Sequence, residues 1–333
     1  MKLHKNISFN HLSEEEQIQK IKENWNNIKY ITNPSEKVQL EFIKEYPWKL
    51  DIIIAKGIIP SEKVQLESVK RYGYVIQYIT NPSEKVKLEA VRNNGHAIKC
   101  IKNPSEQIQL EAIKNNEYAI RYIVNPSEKI KLETVKRNGS VIKYIKDPSE
   151  QIKLEAVKNN GYVIQHITNP SEQIKIEAVK RSGLAIQYID DPSEQIQLES
   201  IKQNSFSIHY IEDPSEKLQL EAIKRNHWSI KYIKNPSLSA QLEAVKQCID
   251  CIFYIKRPEP ETAFYCITNN PDLLKIRYRK IDHQKLRTNY FQKLPLYIQK
   301  MLVESNPLFV TIIPNLHPSL KNSIHNLKNI GLF

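Results

Sequence analysis

One interval governs this sequence. Pro60, Pro82, Pro104, Pro126, Pro148, Pro170, Pro192, Pro214, Pro236 and Pro258 stand 22 residues apart, and nearly all of them open a near-copy of one phrase. Residues 82–103 read PSEKVKLEAVRNNGHAIKCIKN and residues 104–125 read PSEQIQLEAIKNNEYAIRYIVN. No loop-rich globular fold keeps such a count, whereas a stack of supersecondary units must. A single copy offers only five or six apolar side chains, each worth about 1.5–3 kcal/mol when buried, against the cost of nucleating two short helices. Only neighbouring copies can cover its apolar face.

Earlier units begin near Leu12 and at Pro34, the second of these 26 residues long, and degenerate units follow at 258–279 and 294–315, separated by the irregular stretch 280–293. The count is about thirteen, with a remnant at 316–333. Three regions are expected: an N-terminal cap and first degenerate repeat (1–33), a regular array (34–257) with its longer unit at 34–59, and divergent basic repeats with a cap (258–333). The insertion in YPWKLDIIIAKGII (46–59) breaks the register and is expected to bend the array or make a local contact.

With the proline as position 1 of each unit, Asn or Asp at position 22 of the preceding unit, then Pro, Ser and Glu, read as N-cap, N1, N2 and N3 of a helix. The glycine at position 14 (Gly73, Gly95, Gly139, Gly161, Gly183) reads as a left-handed C-terminal residue. Six residues remain for a second helix of barely two turns. On the first helix positions 5, 7, 9 and 10 are apolar, and positions 4, 8 and 11 form a charged stripe such as Lys85, Glu89 and Arg92. Position 6, Gln or Lys, is expected to bury its stem and keep its head in water. On the second helix 16, 17 and 20 face inward, and 15, 18, 19 and 22 outward.

The motifs Asn/Asp-Pro-Ser-Glu, Glu-Ala-Val-Lys, Asn-Gly and Ala/Val-Ile-x-Tyr-Ile, over roughly residues 12–279, resemble the short tandem α-helical repeats of unknown function found in large DNA viruses, phages and protists. They are similar also to the leucine-rich repeat variant, in which an α-helix alternates with a short 3₁₀ helix, and to HEAT-like solenoids. The resemblance implies an all-α, right-handed α-solenoid of about thirteen 22-residue helix-pair repeats. It implies no activity and carries over no catalytic residue. Some leucine-rich repeat variant proteins hold an iron–sulfur cluster near the N-terminus, and this chain has no N-terminal cysteine group to receive one.

Chemistry-bearing residues are sparse. Four cysteines (Cys100, Cys248, Cys251, Cys266) in 333 residues are no disulfide framework and favour a reducing compartment. The start has no apolar signal-like core, and no run is long and apolar enough for a membrane helix. The expected location is cytoplasmic, the host cytoplasm if the chain is viral. Cys248 and Cys251 form C-x-x-C, with Cys266 one helix later and His283 beyond. Cys251 and Cys266 nevertheless occupy apolar slots (positions 16 and 9), so core packing is the reading and no metal is assigned. His96, His166, His209 and His227 fall at positions 15, 19, 18 and 14 and do not align as one ligand set. Ser and Glu of the PSE motif are explained by capping, and no Gly-rich phosphate loop is present. No enzyme, cofactor or small-molecule substrate is expected.

The outward face of the second helix is more informative. Position 19 carries Tyr78, Tyr122, Tyr144, Tyr188, Tyr210, Tyr232 and Tyr254, position 15 adds Tyr74, Tyr118, Tyr162, Phe206 and Trp228, and position 18 supplies Lys99, Arg121, Lys143 and Lys231. If these helices line the concave side, the face offers a ladder of rings with cationic neighbours, suited to a protein or peptide partner. The bland alternative is that each tyrosine packs on the next unit and spends its hydroxyl on a backbone acceptor. The expected partner-binding residues are Tyr78, Lys99, Arg121, Tyr122, Lys143, Tyr144, Tyr162, Tyr188, Tyr210, Trp228, Lys231 and Tyr232, with a host protein as the sharper guess. The alternative partner is nucleic acid. Lys and Arg outnumber Asp and Glu by 49 to 37, a formal charge of +12, and the segment 275–293 interleaves basic and aromatic residues. There Arg277, Arg279, Lys280, Lys285, Arg287 and Tyr290 would contact the phosphates and bases.

Overall fold

The computed structural model describes residues 8–275, 280–281, 284–285, 294–306 and 309–321. The chain is an all-helical α-solenoid of repeated α-helix and 3₁₀-helix pairs. It divides into two compact units, Met1–Ile167 and Thr168–Phe333. In the first, helices such as Glu62–Arg71, Glu84–Asn93, Glu106–Asn115, Glu128–Arg137 and Glu150–Asn159 alternate with six-residue 3₁₀ helices such as Gly73–Tyr78, Gly95–Cys100, Glu117–Tyr122 and Gly139–Tyr144. In the second, Glu172–Arg181, Glu194–Gln203, Glu216–Arg225 and Leu238–Gln247 alternate with Gly183–Tyr188, Ser205–Tyr210, His227–Tyr232 and Ile249–Tyr254. Within each unit the α-helices of the regular repeats pack on the next such α-helix and their six-residue 3₁₀ helices on the next 3₁₀ helix, as Glu84–Asn93 does on Glu106–Asn115 and Gly95–Cys100 on Glu117–Tyr122. Beyond the helices, Lys280–Ile281 and Gln284–Lys285 form a two-rung antiparallel ladder.

The core is the one the periodicity demands. In residues 82–103 Val86, Ala90, Val91, Ala97, Ile98 and Ile101 are buried, and the same positions are buried in neighbouring repeats. Leu88 at position 7 is only half-buried, because that edge of the helix lies at the rim of the contact between repeats.

The helix start lies two residues later than the sequence reading placed it. Ser83, not Asn81, is the N-cap of Glu84–Asn93, with φ −64° and ψ 160°, and its hydroxyl accepts from the Val86 N–H. Ser105, Ser127, Ser149, Ser171 and Ser193 do the same for their helices. Glutamate is therefore at N1, where it favours the positive end of the helix dipole. Its carboxylate also accepts from the serine hydroxyl of the next repeat, as in Ser83 to Glu62 and Ser105 to Glu84. Among the described residues only the first helix, Ser13 to Glu16, closes the reciprocal capping box.

The left-handed residue is also not the glycine. Asn81, Asn103, Asn125, Asp147, Asn169, Asp191 and Asp213 at position 22 hold φ between 45 and 50°, a conformation these short polar side chains tolerate. Gly73, Gly95, Gly139 and Gly183 serve close approach instead. A Cβ on Gly139 would lie 2.4 Å from the carbonyl oxygen of Ala156 in the next repeat. Gly57, in the inserted segment, is the glycine with positive φ (77°).

At these junctions a side chain clamps adjacent repeats. Asn115 Oδ1 accepts from the Gly95 N–H (2.7 Å) and its Nδ2 donates to the Arg92 carbonyl (2.8 Å), and Asn93 and Asn159 repeat the pattern. The neighbouring asparagine, position 13, ends the α-helix in extended conformation and caps the 3₁₀ helix, as Asn94 does by accepting from the His96 N–H.

Position 6 behaves in two ways. Gln side chains turn back to donate to the carbonyl of position 1, as Gln219 does to Pro214 (2.9 Å), and Gln219 Oε1 accepts from the Ser237 N–H of the next repeat. Lys131 instead keeps a covered stem and pairs with Glu128 at 2.8 Å.

The four-residue insertion makes a local contact. It replaces the usual six-residue element with Pro47–Lys49 (3₁₀) and Leu50–Ile54 (α). Lys56 Nζ then donates to the carbonyls of Lys29 (3.0 Å) and Ile31 (2.9 Å), and its partial burial lowers its pKa.

A candidate docking face on the 3₁₀ helices

Three residues per turn eclipse positions 15 and 18 on one edge of the second element, with position 19 beside them. Repetition every 22 residues extends that edge into a ladder within each unit. Tyr78, Tyr118, Tyr144, Tyr162, Tyr188, Tyr210 and Trp228 keep between 36 and 43 % of their surface exposed. Tyr122 and Tyr232 are half-buried, Lys99, Arg121 and Lys143 exposed and Lys231 half-buried.

The rings are neither free nor buried. Four position-15 rings, those of His96, Tyr118, Phe206 and Trp228, meet the position-19 ring of the next repeat edge to face. In the first unit His96 meets Tyr122 at 5.6 Å and Tyr118 meets Tyr144 at 6.1 Å. In the second, Phe206 meets Tyr232 and Trp228 meets Tyr254, both at 5.4 Å. Cations at position 18 lie against these tyrosines, Arg121 and Lys231 against those of their own and the next repeat, Lys99 against Tyr122 of the next and Lys143 against Tyr144 of its own. The Arg121 guanidinium is 5.0 Å from the Tyr122 ring and 5.7 Å from Tyr144, and Lys143 is 5.2 Å from Tyr144. Lys231 is 5.9 Å from Tyr232 and 5.7 Å from Tyr254. These are cation–π distances. The hydroxyls of Tyr122, Tyr144, Tyr210 and Tyr232 make no hydrogen bond to any described residue, so the rings pack on their neighbours while the phenol tips stay available.

Several α-helix cations are paired on their own helix, as in Arg92–Glu89, Lys158–Glu155 and Lys202–Glu199, each 2.8–2.9 Å, while others such as Lys180 and Lys224 make no ion pair with any described carboxylate. Lys99, Arg121 and Lys143 form no ion pair with any described carboxylate. Among the described residues no helix is long and apolar enough to cross a membrane.

No protein-family model, no curated protein and no solved structure matches the chain. The face must therefore be read from its own geometry.

In the second unit the ladder borders a groove of about 790 Å³ whose walls include His209, Tyr210, Lys231, Tyr232, Phe253 and Tyr254, with Glu212 and Asp213 at its edge. The sequence reading missed this groove, because it is formed by three successive turns whose spacing only packing sets. It also set His96 and His209 aside because the histidines do not align as one ligand set. Both stand in the ladder, His209 5.0 Å from Tyr210 and 5.4 Å from Tyr232.

Of the alternative nucleic-acid residues, Arg277, Arg279, Arg287 and Tyr290 lie outside the described residues. Lys280 and Lys285 are opposite one another in the short ladder. His283 likewise lies outside.

All four cysteines are free thiols, with Cys251 and Cys266 buried. Burial pushes both thiols up to about 12, and for Cys251 the neighbouring Cys248, Asp250 and Cys266 add to it. Burial also raises the Cys100 thiol, partly offset by Lys99. The structure brings Cys248 and Cys251 together with His227 of the preceding repeat, with their donor atoms within 4.8 Å of one another.

Proposed function

We propose that the chain is a non-enzymatic scaffold that holds a partner protein along the face of its 3₁₀ helices. One observation carries this reading: half-exposed rings, fixed by their neighbours and interleaved with cations of which Lys99, Arg121 and Lys143 meet no described carboxylate, run from repeat to repeat. Tyr, Trp and Arg are the residues that dominate interface energetics. Rings already held in place lose little side-chain freedom on binding, so more of their contact energy appears as affinity. The cations favour a partner surface that is acidic between apolar anchor points. The resemblance to repeats of large DNA viruses and phages supports a host protein as the partner, which the chain would sequester or block.

The test is capture of a partner on the immobilised full chain. Variants combining Tyr122→Ala with Tyr144→Ala, or Tyr210→Ala with Tyr232→Ala, should lose it while retaining the helical circular-dichroism signal. Undiminished capture by both would overturn the proposal.

A second reading, nucleic-acid binding, is favoured by the line of Lys99, Arg121 and Lys143. It is separated from the first by salt. Counterion release makes nucleic-acid affinity fall steeply between low and physiological salt, and an aromatic-anchored protein interface responds far less.

A further inference from the structure

We propose that His227, Cys248 and Cys251 form a binding site for a zinc-class divalent ion, completed by water or an exogenous donor. Cys248 is the residue before the 3₁₀ helix Ile249–Tyr254 and Cys251 is its third residue. A helix with three residues per turn places side chains three apart one above the other, so a C-x-x-C spacing here aims both sulfurs along one edge. The third donor comes from position 14 of the preceding repeat. Position 14 abuts position 13 of the next repeat at other junctions, since a Cβ at Gly95 would lie 3.2 Å from Asn116 Cβ and one at Gly183 3.0 Å from Asn204 Cβ. His227 occupies position 14 and Cys248 position 13, so the same close approach brings imidazole and thiol together.

The three residues are also departures from the repeat, and two of them forgo something. Position 13 is an asparagine whose side chain caps the 3₁₀ helix at most junctions, as Asn160, Asn204 and Asn226 do, and Cys248, like Tyr72 and Ser182, makes no such cap. Position 14 is glycine at five junctions, and His227 stands in its place. Core packing accounts for Cys251, fully buried in an apolar slot. It does not account for Cys248, half-exposed where a hydrogen-bonding residue belongs, nor for His227. That three such changes converge within 4.8 Å, in a chain with four cysteines and nine histidines, is what a ligand set requires.

Two thiolates and an imidazole are the soft and borderline donors that suit Zn²⁺ over Ca²⁺ or Mg²⁺. Zinc–sulfur bonds of roughly 2.3 Å set donor separations near 4 Å in a tetrahedron. Rotation of the Cys248 and His227 side chains, both half-exposed, supplies the contraction. Their exposure also leaves the fourth position open to solvent. Binding releases the thiol protons to water, with no change of oxidation state.

The experiment titrates the reduced, metal-stripped full chain with Co²⁺, then with Zn²⁺ in competition. One equivalent should give near-ultraviolet thiolate-to-cobalt absorption together with tetrahedral visible bands, and Zn²⁺ should abolish both. Cys248→Asn and His227→Gly install residues that other repeats carry at these positions, so both variants should keep the helical signal. Each should weaken Zn²⁺ binding by about a hundredfold or more, since even supporting partners of metal ligands cost 10–100-fold. Cys100→Ser should bind as the parent does. Absence of the thiolate band, an unchanged affinity in Cys248→Asn, or isolation of Cys248 and Cys251 as a disulfide that takes no metal would overturn the proposal.

Discussion

Replacing Gly139 by alanine separates two explanations of the repeat's glycine. The added Cβ would lie 2.4 Å from the Ala156 carbonyl oxygen and 3.2 Å from Ala156 C and Asn159 Cβ. Relief requires the two repeats to part by nearly an ångström. Overpacking of this kind costs about 1–3 kcal/mol. The same movement stretches the bonds from Gly139 N–H to Asn159 Oδ1 (2.9 Å) and from Asn159 Nδ2 to the Lys136 carbonyl (3.0 Å), about 0.5–1.5 kcal/mol each if lost. The smaller entropy of an unfolded alanine returns about 0.4–1 kcal/mol. The net is a destabilisation of about 3 kcal/mol at this junction, which corresponds to roughly 150-fold faster amide exchange. Because stability in a repeat array is local, the assay is hydrogen exchange with mass spectrometry on peptides flanking residues 139–160, with distant repeats as internal controls. Gly139→Asn decides the cause. A left-handed residue would accept asparagine better than alanine, whereas a close approach tolerates it no better. Exchange in Gly139→Asn close to the parent's would refute the close-approach argument.

Asn125→Val should destabilise by about 1–2 kcal/mol in urea unfolding, because a β-branched residue resists φ 50°, while Asn125→Gly should stay within about 0.5 kcal/mol of the parent. Ser127→Ala should cost about 1 kcal/mol through loss of the N-cap to the Ile130 N–H, and Pro126→Ala should cost less if serine rather than proline starts the helix. Burial holds the Cys266 thiol proton to about pH 12, against an ordinary 9, so the unfolded chain sheds that proton first. Its contribution to stability is intact below pH 9 and is lost as pH climbs towards 12, and Cys266→Ala, the residue other repeats hold there, should flatten that alkaline decline in the urea midpoint. Arg121→Ala should reduce partner affinity several-fold without altering the far-ultraviolet spectrum, whereas Lys158→Ala, on the α-helix face, should leave affinity unchanged.

The sequence by itself determined the stack. A 22-residue period with apolar residues at positions 5, 9, 10, 16, 17 and 20 leaves no other way to keep those side chains from water, and Val86, Ala90, Val91, Ala97, Ile98 and Ile101 are buried as the pattern requires. It determined the outward edge too, since Tyr144 and Lys143 sit where their positions placed them. It did not determine what each punctuating residue does. Asn-Pro-Ser-Glu fits a helix start in two registers, and the hydrogen bond from Val86 N–H to Ser83, together with the left-handed Asn81, chose between them. Glycine suits either a left-handed turn or a tight contact, and only the Ala156 carbonyl across the junction distinguished the two. The ladder's ring pairs, the groove beside Tyr232 and the meeting of His227 with Cys248 and Cys251 all join residues from different repeats. A repeat dictates its own conformation through local capping and periodicity. How closely the next copy settles upon it depends on shapes at the junction, and those distances exist only once the copies have packed.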